Sequence, residues 1–331
     1  MIIIKSRIMV WGIMIFCLTA GAFAQSLAWL NSIDISEDGN SGGNIAFHDG
    51  NLYVSTFNDR KVLKITNGNY TTPTVALFAD LSAKVTWPTG RGLQGIAVDS
   101  ATGDVYVSGD YGAGRLVVKY NSSGAELASL IDSTGGHRNA GCVLWGSTPS
   151  LLLCQTGSGL FNVKSDLSGY EATAYLSGAN SHARDVCVVG NNIYVSRTSI
   201  ALPNVDGIDE FTGGAAGDLT GYAAAAWFAG TAASSQAVSG IYAWNYASAT
   251  YLCWANQTTG ARSLDIFNQS TKALYQSLGA TENVTDARDS CVGTFGASSY
   301  LFVTNGAQNN IQVFGIDGAT LETSVSDWPM Y

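Results

Sequence analysis

Residues Leu93–Tyr120 read LQGIAVDSATGDVYVSGDYGAGRLVVKY, and this stretch decides the fold. Gly95–Val98 is an apolar run, Asp104–Ser108 alternates between apolar and polar residues, and Arg115–Tyr120 alternates again. The segments between them are rich in Asp, Gly and Ser, which is typical of turns. The stretch therefore predicts three consecutive antiparallel strands.

The same pattern returns five more times along the chain. Its second strand is the clearest marker and recurs as LYVS at Leu52–Ser55, VYVS at Val105–Ser108, LLLC at Leu151–Cys154, IYVS at Ile193–Ser196, YLCW at Tyr251–Trp254 and LFVT at Leu301–Thr304. In the first strands, one small or apolar residue recurs 45 to 54 residues apart, and we align Ile45, Ile96, Cys142, Cys187, Ile241 and Cys291. Such a period is typical of propeller blades. The sequence predicts an all-β, six-bladed β-propeller with four antiparallel strands per blade.

A fourth strand is expected to close each blade on its outer side. The candidates are Thr74–Leu81, Glu126–Asp132, Ala172–Leu176, Tyr222–Phe228, Ala273–Leu278 and Thr320–Val325. The first and last blades must also pair, because an open ring leaves unpaired strand edges. Leu27–Ile35 has the composition of an outer strand, and we expect it to join the last blade. Thr320–Val325 competes for the outermost place, and the sequence leaves the choice open.

Residues 1–24 have the features of a secretory signal peptide. Two basic residues precede the apolar run Ile8–Leu18, and Ala22–Ala24 matches a small-residue cleavage site. The apolar run is too short for a lasting transmembrane span. We therefore expect a secreted protein, extracellular or periplasmic, in which residues 25–331 form a single propeller domain.

The charge of the mature chain argues against one class of partner. Beyond residue 24, 14 Lys and Arg residues face 25 Asp and Glu residues, which gives a formal charge of about −11. An acidic surface repels phosphate backbones, so nucleic acid is not expected as a ligand. Extracellular proteins, peptides and small molecules remain as the expected classes of ligand.

The best-preserved units resemble NHL-type repeats. Gly95–Tyr120 shows the G-I-A-V-D strand, the glycine-containing turn and the I-Y-V-like strand of that family. NIAFHDGNLYVSTFNDRKVLKI at Asn44–Ile65 is a second fair copy, and LFVTNGAQNNIQVFGI at Leu301–Ile316 matches the latter half. The resemblance extends over the mature chain by period but over only two or three units by motif. It implies the propeller fold more than an activity.

Polar residues stand at one repeated position near the predicted channel. Five residues before each aligned position are Asn40, Arg91, His137, His182, Gln236 and Asp286. Ligands of propellers usually bind where the chain enters the innermost strands, so these residues are the predicted ligand site. Trp87 lies just before Arg91 and either stacks on a sugar or aromatic ligand or fills a gap between blades.

Three of these residues form a candidate metal site. His137, His182 and Asp286 offer nitrogen and oxygen ligands for a divalent metal, zinc or calcium. NHL-like peptidyl-hydroxyglycine lyases hold a catalytic zinc with histidines around the channel, and the resemblance implies a comparable role. Arg184 and Arg288 are the candidate catalytic residues, since they can stabilise developing negative charge. Alternatively, these polar residues only brace the channel mouth.

Three functions fit these observations. The first is a binding module that presents the loops at the channel mouth to a ligand or protein. The second is a metal-dependent lyase or lactone hydrolase with its site at the same mouth, and the third is a structural protein of the cell envelope. The five cysteines of the mature chain are expected to be buried core residues, and Cys142 and Cys154 alternatively form a disulfide across a hairpin.

Overall fold

The computed structural model is the six-bladed β-propeller that the repeats predict. It describes residues 26–322 except 38, 40, 113, 133–137, 147–149, 157–158, 177–182, 198–206, 230–239, 247 and 257–261. The predicted signal peptide therefore lies outside the described residues. The described part of the chain contains 24 strands in six four-stranded antiparallel sheets, and one 3₁₀ turn at Ala280–Glu282. No helix in these ranges is long and apolar enough to span a membrane.

The strands follow the blades in chain order. The first strand is β1 (Leu27–Asp34). From the channel outward, blade 1 contains β2 (Gly42–His48), β3 (Asn51–Thr56), β4 (Lys61–Thr66) and β5 (Thr74–Asp80). Blade 2 contains β6 (Leu93–Val98), β7 (Val105–Asp110), β8 (Arg115–Tyr120) and β9 (Glu126–Asp132). Blade 3 contains β10 (Arg138–Trp145), β11 (Ser150–Thr156), β12 (Gly159–Lys164) and β13 (Tyr170–Leu176). Blade 4 contains β14 (Ala183–Val189), β15 (Asn192–Arg197), β16 (Gly207–Thr212) and β17 (Ala223–Ala229). Blade 5 contains β18 (Ile241–Tyr246), β19 (Ala249–Asn256), β20 (Ser263–Asn268) and β21 (Leu274–Leu278). Blade 6 contains β22 (Ala287–Phe295), β23 (Ser298–Asn305) and β24 (Asn310–Ile316).

The N-terminal strand closes the ring. The sixth sheet has the order β1-β24-β23-β22, so β1 is its outermost strand, as expected for Leu27–Ile35. The competing C-terminal candidate, Thr320–Val325, does not take that place. Its described part forms only a single parallel bridge, from Glu322 to Tyr70 in blade 1. Of the two alternatives that the sequence left open, the structure therefore has the N-terminal one, because the edge of β24 is paired along its length by β1.

The hydrophobic core is divided among the six interfaces between blades. Each of six clusters draws its buried side chains from two neighbouring blades. In β3, Leu52 and Val54 pack towards blade 6 while Tyr53 packs towards blade 2. Both faces of the strand are covered, which explains why the second strands are continuously apolar instead of alternating.

The register of the innermost strands corrects the sequence alignment. Ile96 pairs with Val107, the second valine of VYVS, but Cys187 pairs with Tyr194, the tyrosine of IYVS. Cys291 is offset in the same way. The alignment of these two cysteines with the isoleucines was therefore wrong by one residue. A slip of one residue exchanges the two faces of a strand, so positions counted from Cys187 and Cys291 are not equivalent to positions counted from the isoleucines.

We expect the closing strand to be essential for stability. Ile33 of β1 is buried in the cluster between blades 6 and 1, so Ile33→Ala should lower the free energy of unfolding by about 2–5 kcal/mol. Ala28→Ser, on an exposed position of the same strand, is the matched control. Urea unfolding measures both, and equal stability of the two variants would contradict closure by β1.

Candidate functional site

The mouth face of the propeller is the face on which the innermost strands β2, β6, β10, β14, β18 and β22 begin. Of the residues predicted to line it, Asn40, His137, His182 and Gln236 lie outside the described residues. Their proposed roles as ligand-binding or metal-binding residues stay predictions. Trp87, Arg91 and Asp286 are described, as are the two arginines proposed for catalysis.

Asp286 is held by two arginines. Its Oδ1 accepts a hydrogen bond from Arg262 at 2.9 Å, and its Oδ2 accepts one from Arg288 at 2.7 Å. The side chain is almost completely buried, at 1% exposure. A metal ion at Asp286 would have to compete with both guanidinium groups. Charge-assisted hydrogen bonds of this kind fix the strand start in place, which matches the bracing role considered for these residues.

Trp87 and Arg91 belong to a second braced group at the start of blade 2. The indole Nε1 of Trp87 donates to the backbone oxygen of Leu81 at 2.9 Å, and Arg60 lies over the indole ring. Arg60 also donates twice to the backbone oxygen of Arg91, whose guanidinium pairs with Asp110 at 3.2 Å. Trp87 is half-buried against the core between blades 1 and 2, so one part of the ring fills the gap between them.

Strand pairing defines a second ring of residues, which lies inside the channel next to the mouth face. Asp185 and Asp289 lie directly opposite Ser196 and Thr304, the last residues of the IYVS and LFVT segments. With Asn44, Gly95, Gly141 and Gly240 of the other blades they form what we call the inner ring. In blade 5 Ile241 pairs with Trp254 and the oxygen of Gly240 accepts from Ala255, so the segment equivalent to IYVS is Leu252–Ala255, one residue beyond the predicted YLCW. Neither aspartate was among the residues predicted for the site, although each directly follows a candidate catalytic arginine.

The glycines of the inner ring make room for the carboxylates. A Cβ at Gly141 would lie 1.4 Å from Oδ1 of Asp185 in the next blade, and a Cβ at Gly240 would lie 2.3 Å from Oδ1 of Asp289. Each aspartate thus occupies the space that a side chain of the preceding blade would need. The paired occurrence of Gly and Asp in neighbouring blades is the sequence signal that could have identified this ring.

Each carboxylate also joins its blade to the next one. Oδ2 of Asp185 accepts a hydrogen bond from the backbone N–H of Ile241 in blade 5 at 3.0 Å, and Oδ2 of Asp289 accepts one from Ile45 in blade 1 at 3.0 Å. The amide Nδ2 of Asn44 donates to Oδ2 of Asp185 at 3.0 Å. Because blades 1 and 4 face each other in a ring of six, this last hydrogen bond crosses the channel.

The pKa values of both carboxyl groups are raised. Burial raises the pKa of Asp185 to about 7, although hydrogen bonds from backbone amides and Asn44 oppose the shift. Burial and the nearby charge of Asp185 raise the pKa of Asp289 well above its ordinary value. Neither group forms an ion pair with a described Lys, Arg or His side chain. Perturbed carboxyl groups beside a cavity are common at functional sites.

The inner ring borders a cavity of about 240 Å³ in the channel. Apolar residues of five blades provide most of its wall, among them Ile45, Ile96 and Val186. Two polar atoms of the ring have no hydrogen-bond partner although they are buried: Oδ1 of Asn44 and Oδ1 of Asp289. Buried polar atoms are nearly always paired, so these two oxygens mark the ring as a place where a ligand can be held.

The cysteines are not candidates for chemistry. Cys142, Cys154, Cys187, Cys253 and Cys291 are all free and buried, and burial raises the pKa of each thiol. The disulfide considered between the first two does not form, because the register places one of them opposite a leucine of the partner strand. Among the described residues, no group of three or more His, Cys, Asp or Glu side chains is arranged to hold a metal.

We expect Gly141 to tolerate no side chain. Gly141→Ala should lower the free energy of unfolding by about 2 kcal/mol or more, since the new Cβ would overlap Asp185. Gly279→Ala is the matched control, because no other part of the protein lies within 4 Å of a Cβ there. Chemical unfolding of both variants tests the packing, and a neutral effect of Gly141→Ala would refute it.

The raised pKa of Asp185 predicts a pH-dependent stability. The folded protein binds more protons than the unfolded chain between the ordinary value of 3.8 and about 7, so its free energy of unfolding falls as the pH rises through this interval. Asp185→Asn keeps an acceptor for Ile241 and should be more stable than the parent at pH 8 by on the order of 2 kcal/mol.

Urea unfolding at pH 5 and pH 8, with a chelator present, measures this difference. Asp49→Asn, at an exposed turn, is the control and should follow the parent. The prediction fails if the parent and Asp185→Asn lose stability equally between the two pH values.

Comparison with known proteins shows the fold and not the family. No protein-family model and no curated protein matches the chain. A nidogen propeller from the crystal structure of a nidogen–laminin complex matches with a TM-score of 0.52 and 13% identity, over 78% of this chain and 94% of that one. An α-L-arabinofuranosidase from Clostridium thermocellum matches with a TM-score of 0.47 and 11% identity, over 72% and 93%. At this identity, the likeness to nidogen shows that both chains are β-propellers.

Proposed function

We propose that the protein is a secreted binding module that takes an acidic ligand at its mouth face. The observation that carries the proposal is the placement of the arginines. Every arginine beyond residue 25 lies at or beside a strand end on the mouth face, namely Arg60, Arg91, Arg115, Arg138, Arg184, Arg197, Arg262 and Arg288. Three of the six lysines of the same region, Lys119, Lys164 and Lys272, lie towards the opposite face.

Arginine is the side chain best suited to recognise an anion of defined shape. Its planar guanidinium offers parallel donors that match a carboxylate, sulfate or phosphate group. At this face five guanidinium groups are already held by carboxylates, as in the pairs of Arg91 with Asp110 and Arg197 with Asp209. Because their positions are fixed before a ligand arrives, little ordering entropy is lost on binding.

Two of these arginines keep a substantial part of their side chains in solvent. Arg262 is 32% exposed and Arg91 is 25% exposed, on opposite sides of the channel in blades 5 and 2. The overall charge of the mature chain is negative, so an extended polyanion is repelled while a short acidic segment can reach the mouth. An acidic peptide loop or an acidic sugar fits both conditions. Nidogen, in its complex with laminin, is an example of a propeller that binds a protein.

The arginine hypothesis predicts a difference between the two faces. Arg262→Ala and Arg91→Ala should weaken binding to an array of acidic peptides and uronic-acid oligosaccharides by about tenfold or more, because each removes a charged donor from the mouth. Lys164→Ala, an exposed cation at the opposite face, should bind like the parent. Binding that all three variants share, or the absence of binding by the parent to any acidic probe, would refute the proposal.

Secretion is tested separately from binding. N-terminal sequencing of the protein expressed from its full gene should begin at Gln25, directly after the small-residue site at Ala22–Ala24. A protein that keeps residues 1–24 and stays in the cell would contradict export. It would leave the ligand-binding part of the proposal intact.

A metal-dependent lyase or lactone hydrolase is the second candidate function. It is favoured by one observation, the cavity of about 240 Å³ that the buried carboxyl groups of Asp185 and Asp289 line. Turnover of simple lactones by the parent, lost in Asp185→Asn and kept in Asp49→Asn, would support it. The zinc or calcium site at His137, His182 and Asp286 stays a separate prediction.

A further inference from the structure

We propose that the inner ring binds a hard divalent cation of the Ca²⁺ class between Asp185, Asp289 and Asn44. This site lies inside the channel, next to the mouth face but distinct from its arginines. It also differs from the predicted site at His137, His182 and Asp286. It is independent of the acidic-ligand hypothesis, since neither needs the other.

The unpartnered oxygens are the first support. Asn44 is 4% exposed and Asp289 is 5% exposed, and the Oδ1 atom of each lacks a hydrogen-bond partner. In the structure Nδ2 of Asn44 donates to Asp185, so the atom of this amide that lacks a partner is the oxygen Oδ1.

The charge balance of the ring is the second support. Two carboxyl groups, close enough for one charge to act on the other, are buried without an ion pair to a described basic side chain. A buried charge is normally paired, bound to a metal or neutralised by a proton. The backbone amides of Ile241 and Ile45 supply dipoles to one oxygen of each group but no full charge. A divalent cation would balance both carboxylates at once.

The type of donor and the size of the cavity select the kind of cation. Two carboxylates and one amide oxygen are hard ligands of the kind that Ca²⁺ and Mg²⁺ prefer. With a volume of about 240 Å³, the cavity has room for an ion and several waters, each of which takes up about 30 Å³.

Direct titration tests the site. After treatment with a chelator and its removal, the parent protein at neutral pH should bind one equivalent of Ca²⁺ in calorimetry, and its melting temperature should rise with Ca²⁺ concentration. Asp289→Asn should weaken Ca²⁺ binding by about tenfold or more, because it removes one ligand charge while its side-chain oxygen still accepts from Ile45. Asp185→Asn should weaken Ca²⁺ binding by a similar factor, and it takes the place of Asp289→Asn in the test if that variant does not fold.

Two controls separate this site from others. Asp49→Asn, an exposed carboxylate in the turn between β2 and β3, should bind Ca²⁺ like the parent. The double variant His137→Ala/His182→Ala should also keep Ca²⁺ binding. Loss in the histidine variant with retention in Asp289→Asn would overturn the proposal in favour of a site at the histidines. An absence of heat and of any shift in melting temperature up to about 10 mM Ca²⁺ or Mg²⁺ would overturn it in favour of a ring held by protons alone.

Discussion

The pairing of β1 with β24 is the contact on which the propeller depends. Each sheet buries both of its faces only when a blade stands on either side, so all six interfaces must exist together. The interface between blades 6 and 1 contains Ile33 and Ile35 from the N-terminal segment beside Leu52 and Val54 of blade 1. The first strand of the chain thereby supplies both the missing hydrogen bonds of the last sheet and part of the core that joins it to the first. Closure also removes two exposed sheet edges.

At the centre of the molecule, the inner ring likewise joins neighbouring blades through packing and hydrogen bonds. Six innermost strands converge there, and their side chains compete for a narrow channel. Glycines in blades 3 and 5 leave space that Asp185 and Asp289 fill, and each aspartate then accepts an amide hydrogen of the following blade. The contacts of Asp185 link blades 3, 4 and 5, and those of Asp289 link blades 5, 6 and 1. The polar centre of the channel is thus part of the packing between blades, although it places two carboxyl groups where water cannot fully stabilise their charge.

The period of the sequence was enough to predict the number of blades, because six equal units of four strands leave few alternatives. Five outer strands were found within two residues of their expected ends. The register failed in blades 4 and 6, since the alignment gave weight to the small side chain of Cys187 and not to its partner across the strand. In blade 5 the second-strand segment YLCW was placed one residue too early. Sequence similarity records what kind of residue is present, whereas register depends on which residue faces it. The sequence also did not show which terminus forms the outermost strand of blade 6, because both have the composition of an edge strand.

The dipeptide Arg-Asp connects the two levels of the channel. It occurs at the second and third positions of both β14 and β22, where the strand carries a bulge. In β22, Arg288 reaches back to Asp286 at the mouth, while Asp289 points to the neighbouring blade in the inner ring. Successive residues of a strand face opposite directions, so one short motif delivers a guanidinium to the mouth and a carboxylate to the channel. In blade 6 the two residues of the motif therefore have separate tasks: the arginine braces the strand start at the mouth, and the aspartate joins the strand to blade 1 inside the channel.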